Sequence, residues 1–163
     1  MTRAIQLLVL DVDGVLTDGR LYFGPRGEAL KVFHVRDGHG IVQLRRAGVE
    51  VAVISGRRSP MVAARCRELG VRHVYQGVAD KLAVLKRLLV RLELRSAECA
   101  CVGDDLPDLP LMHSVALSCA VADAHPAVRR AADLVTRLPG GYGAVREVCD
   151  HLLARPLRRR RRA

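Results

Sequence analysis

Ile5-Gln6-Leu7-Leu8-Val9-Leu10-Asp11-Val12-Asp13-Gly14-Val15-Leu16-Thr17 decides how the chain is read. A short, nearly continuous apolar run, Ile5 to Leu10, stops at an acidic turn containing glycine. That pattern predicts a central parallel strand buried on both faces. Alternate side chains of an extended segment face the same way, so Asp11 and Asp13 can address one site while Val12 packs inward. Two carboxylates so close repel unless a cation or a shared proton relieves them.

Working outward, Val49–Ile54 reads as a second buried strand leading into Ser55-Gly56-Arg57, and Cys99–Val102 as a third ending in Gly103-Asp104-Asp105. Shorter strands are expected at 116–120 and 134–136. Helices are expected over 38–47, 60–69, 81–92 and from Gly143 to about 154. On the third of these, Leu82, Leu85, Leu89 and Leu92 form one predicted face. Segments 20–23 and 30–35 predict a hairpin turning at Gly24-Pro25-Arg26-Gly27. Strands alternating with helices give a doubly wound α/β sheet, Rossmann-like, with helices on both faces and ligands beyond the carboxyl ends of the strands.

Composition fits this fold. Half of the 163 residues are hydrophobic, yet there are only two Phe, three Tyr and no Trp, so Leu, Val, Ala and Ile must build the core. The formal charge of +10 falls to +4 once Arg155 and Arg158–Arg162 are set aside. Residues 1–154 therefore read as one domain and 155–163 as an arginine-rich, solvated tail. Such a run could bind nucleic acid, but no aromatic residue interleaves with the arginines. The five cysteines, odd in number and without a Cys-x-x-Cys pair, suit reduced thiols. No apolar run is long enough to span a membrane and no signal-peptide pattern is seen, so a cytoplasmic protein without membrane contact is expected.

The chemistry-bearing residues follow the strands. Asp11 can attack phosphorus as a nucleophile, and Asp13 can protonate the leaving oxygen and then activate water. Asp11, Asp104 and the Asp13 main-chain carbonyl suit Mg²⁺, a cation that favours oxygen ligands. Asp105 and Asp108 can orient its waters from behind, or favour a helix start. Ser55 and Gly56 can donate to a phosphate oxygen, and Lys81, opening a helix, can neutralise both phosphate and nucleophile. Arg57 and Arg36 are candidates for a substrate carboxylate. His39, His113 and His125 lack metal-ligand spacing and read as structural.

The order of these clusters resembles the haloacid dehalogenase superfamily of aspartyl phosphatases, its capless sugar-acid phosphatase subfamily in particular. The matches are Asp-x-Asp-x-Val at 11–15, Ser55 after a strand, Lys81 before a helix, and Gly-Asp-Asp-x-x-Asp at 103–108. The strings DVDGVLTDG (11–19), VRDGHGI (35–41), ISGR (54–57), VADAHP (121–126) and GAVREVCD (143–150) extend it over about residues 5–153. The resemblance implies an Mg²⁺-dependent hydrolysis of a small sugar-acid phosphate, an eight-carbon acid of lipopolysaccharide synthesis or a nine-carbon relative. It also implies a homotetramer assembled through the hairpins, in which a glycine-rich segment reaches an adjacent active site. Room for only a hairpin between Asp18 and Gly38 leaves no cap domain, so closure would fall to a neighbouring subunit. Where the family commonly has Gly-Gly-Arg-Gly, this chain has Gly140-Gly141-Tyr142-Gly143, and tyrosine cannot pair with an anion as arginine does.

Overall fold

A computed structural model describes residues 5–154. Six parallel strands form the sheet: β1 (Leu7–Leu10), β4 (Glu50–Ser55), β5 (His73–Gln76), β6 (Cys99–Gly103), β7 (Leu117–Ala120) and β8 (Leu134–Val135), in the spatial order β5-β4-β1-β6-β7-β8. Strands β2 (Tyr22–Gly24) and β3 (Gly27–Leu30) pair antiparallel as a separate hairpin. Six helices complete the fold: α1 (Val35–Arg46), α2 (Pro60–Glu68), α3 (Lys81–Arg91), α4 (Leu109–Met112), α5 (Pro126–Ala131) and α6 (Ala144–Leu153). Helix α1 contacts both α2 and α6 on one face, and α3, α4 and α5 pack on the other. All four residues of β1 are buried, as a strand covered on both sides requires.

The chain leaves β1 toward β4 on one side and later returns to β6 on the other, so the order reverses beside β1. Register then aligns the chemistry. Leu10 pairs with Val53 and with Val102. Asp11, Ser55 and Asp104 each follow within two residues of that row, so all three emerge at one level.

Several expected boundaries move. The hairpin's second strand ends at Leu30 instead of running over 30–35, because Lys31 turns its side chain inward and His34 caps α1 by accepting the Arg36 N–H. Helix α1 therefore starts at Val35, three residues before Gly38. On α3 the buried stripe is Val84, Leu85, Leu88 and Leu89, turned from the expected leucine face; Leu82 and Leu92 are only half-buried. Edge strand β5 and helix α5 had no expectation: four half-buried residues and one and a half turns give little periodicity. All five cysteines are free and buried, and His125 caps α5 by accepting the Ala127 N–H. The arginine tail lies outside the described residues.

Among the described residues, no helix is long and apolar enough to cross a membrane. Leu88 is buried between α3 and the sheet. Leu88→Ala is expected to cost about 2–5 kcal/mol in urea unfolding while leaving kcat of the folded protein unchanged.

Candidate active site

At the carboxyl end of the sheet lies an open cleft of about 350 Å³, lined by Asp11, Asp13, Ser55, Gly56, Arg57, Lys81, Asp104, Asp105 and Asp108, among others. Nine of the ten expected site residues thus meet there. Arg36 does not: it lines a second cleft between α1 and α6, with Arg146 and Asp150. The early start of α1 is the cause, since it carries Arg36 onto the first turn of the helix.

Lys81 stands at the centre of the acidic cluster. Its Nζ is 2.9 Å from Asp11 Oδ1 and 2.7 Å from Asp108 Oδ1. Burial alone would discourage the ammonium charge, but the two carboxylates outweigh it and raise the lysine pKa. Asp108 was expected to stand behind the site or start a helix. It is almost wholly buried, and its Oδ2 accepts the N–H groups of Asp104 (3.0 Å) and Asp105 (3.3 Å). It holds the whole turn in place. Asp105 is exposed and caps the following 3₁₀ turn by accepting the Leu106 N–H at 2.8 Å.

Oxygens of Asp11, Asp104 and Asp108 all lie within 4.8 Å of one another. Three ionised carboxylates against one ammonium would leave two negative charges uncompensated. That crowding favours protonated carboxyls. Burial, followed by repulsion from Asp11 and Asp108, pushes Asp104 up to about 8. Burial also raises Asp11, only partly offset by Lys81. Asp104 Oδ1 is buried without a hydrogen-bond partner. An orphaned oxygen facing excess negative charge, in an all-oxygen donor set, fits a hard divalent cation.

Gly14 makes this approach possible. Its φ is +86°, and a Cβ there would lie 2.0 Å from Asp104 Oδ2. The glycine-rich segment after β8 buttresses the same turn: a Cβ on Gly140 would sit 1.7 Å from the Gly14 carbonyl oxygen, and the Gly141 N–H donates to the Val15 carbonyl. In this chain that segment packs on its own first acidic turn, and Tyr142 is exposed.

The carboxylate of Asp13 points elsewhere. It meets Lys31 and Arg57, and both cations also meet Glu28. Lys31 and Glu28 were missed because a Glu and a Lys on a hairpin ordinarily face solvent, and only the tertiary placement of the hairpin buries them.

The chain is 54% identical over 149 residues to the 3-deoxy-D-manno-octulosonate 8-phosphate phosphatase of Escherichia coli K12, a match covering 91% of this chain and 79% of that protein. The chain belongs to this phosphatase family. Residues 70–140 also match the model of the haloacid dehalogenase-like hydrolases. Among solved structures, the family's Yersinia pestis enzyme superposes with a TM-score of 0.90 at 51% identity, covering 92% of this chain and 81% of that one. The Moraxella catarrhalis phosphatase, solved in complex with magnesium ion, phosphate ion and KDO, gives a TM-score of 0.90 at 41% identity and covers 92% and 86%. The Rossmann-like sheet read from the sequence is the fold of this family.

Asp104 binds its proton far more tightly in the folded chain than in the unfolded one, so metal-free stability from this group falls as pH rises from about 4 toward about 8. Mg²⁺ held by Asp104 would relieve that penalty. Thermal unfolding should show a larger Mg²⁺-induced rise in Tm at pH 8 than at pH 5; equal shifts would count against a metal role for Asp104.

Proposed function

We propose that this chain hydrolyses 3-deoxy-D-manno-octulosonate 8-phosphate to the free sugar acid and phosphate, with Mg²⁺, in the supply of a lipopolysaccharide precursor. The supporting observation is the convergence of Asp11, Lys81 and Asp104 in a chain so similar to phosphatases of that substrate.

Asp11 is the nucleophile. Its Oδ1 is held by Lys81, leaving the second oxygen to attack phosphorus. Lys81 screens the approach of a phosphate to this carboxylate. Ser55, with Gly56 beside it, donates to a phosphate oxygen, and Arg57 at the rim meets the anionic end of the sugar. Asp13 protonates the leaving sugar oxygen and then takes a proton from the water that cleaves the aspartyl phosphate. Asp11, Asp104 and the Asp13 main-chain carbonyl would hold Mg²⁺. Asp108 is a poorer ligand, since Lys81 and the turn amides already occupy its oxygens. When bound, the ion supplies charge neutralisation between the carboxylates and the transferring phosphoryl group.

The same reading makes residues 1–154 one cytoplasmic catalytic domain and 155–163 a basic appendage. It also makes the enzyme a homotetramer with active sites near subunit interfaces. Exposed Leu21, Phe23, Leu30, Val32 and Val35 support the hairpin as the contact.

Phosphate release from a panel of sugar-acid phosphates tests the substrate. The eight-carbon ester should exceed a nine-carbon ketodeoxy acid phosphate by about tenfold or more in kcat/KM, and EDTA should abolish turnover. Asp11→Asn should eliminate activity with the fold intact; a variant keeping about a tenth of the rate would remove Asp11 from the nucleophile role.

A further inference from the structure

Lys31 belongs to no motif that the chemistry above uses, yet its side chain is only 1% exposed. It lies just past β3, at the foot of the hairpin, and sends its ammonium to Asp13 Oδ1 and, at 2.9 Å, to Glu28 Oε1. Arg57 closes the circuit, with Nε 3.5 Å from Asp13 Oδ2 and Nη2 3.5 Å from Glu28 Oε1. Two cations and two anions thus alternate around a ring. It joins the hairpin, the first acidic turn and the loop after β4.

The members are not equivalent. Lys31 is enclosed, and its ammonium charge is reinforced by its two carboxylate partners despite the cost of burial. Arg57 is 43% exposed and holds both partners loosely, so an anionic ligand can draw it away. What then still fixes Asp13 is the lysine on Oδ1. That leaves Oδ2 as the oxygen turned toward the space Arg57 vacates.

Resting on the assignment of Asp13 as general acid, we propose that Lys31, braced by Glu28, is the positioning residue that aims Asp13 Oδ2 at the leaving oxygen. As the bond from phosphorus to the sugar oxygen breaks and the bond to Asp11 forms, a proton taken up from solvent by Asp13 Oδ2 once Arg57 is drawn away passes to the departing oxygen. Lys31 transfers no proton and touches no substrate. The hairpin is by this means part of the proton-transfer apparatus as well as a candidate contact between subunits.

A leaving-group contrast separates this role from a structural one. Expulsion of a sugar alkoxide needs the acid, whereas p-nitrophenolate leaves as a stable anion. The ratio kcat/KM isolates the steps through departure of the leaving group. Lys31→Met should lower kcat/KM for 3-deoxy-D-manno-octulosonate 8-phosphate by about thirtyfold or more and for p-nitrophenyl phosphate by less than about threefold. Lys31→Arg should recover much of the loss. Asp13→Asn is the control and should show the same contrast. Should Lys31→Met fail to fold, judged by Tm, Glu28→Gln combined with Lys31→Met removes the second stranded charge and must show the contrast instead. Equal losses on both esters, or no loss, would overturn the proposal. If Asp13→Asn shows the contrast and the lysine variants do not, only the role of Lys31 falls; if Asp13→Asn lacks it too, the assignment of Asp13 fails with it.

Discussion

Mutual repulsion among carboxylates, gathered where β1 and β6 end side by side, is the constraint around which this structure is arranged. Asp11 and Asp104 arrive there because both strands run parallel and in register from a buried core. Asp108 adds a third charge, and one ammonium cannot balance them. A fold selected for stability alone would avoid such a cluster. Its persistence makes sense if a phosphate and a divalent cation complete it, since each supplies charge the other needs.

Close packing of main chain keeps that cluster compressed. Gly14 lets Asp104 approach within a distance that any side chain would forbid, and Gly140 presses on Gly14 from the far side. Helix α6 secures the second contact, because buried Asp37 on α1 accepts the Arg146 N–H at 2.8 Å and so fixes the start of the helix that follows the glycines. Segments more than a hundred residues apart therefore bear on one acidic turn. Local softness at any of them would be felt at Asp11.

The two aspartates of the first motif have separate electrostatic surroundings. Asp11 shares Lys81 with Asp108 in the acidic cluster, while Asp13 enters an alternating ring with Lys31, Glu28 and Arg57. Neighbouring carboxylates given different partners can take different roles in one reaction. The hairpin supplies half of the second environment, which gives this insertion a purpose at the level of a single chain.

Much of this was written locally. Apolar runs followed by acids or serine announced the parallel strands and the level of the site, because burial on both faces demands continuous hydrophobicity and ligands gather where such strands end. Lys81 was legible only from its place before a helix in the ordered series of acidic and serine clusters, since a lone lysine there ordinarily faces solvent. Short-range signals could not supply the rest. The burial of Lys31 and Glu28, the displacement of Arg36 to another cleft, the bracing role of Asp108 and the pressure of Gly140 on Gly14 depend on distances between segments remote in the chain. Spacing along a polypeptide fixes which way a side chain leaves its own strand or helix; which charge it then meets is decided only when the elements pack.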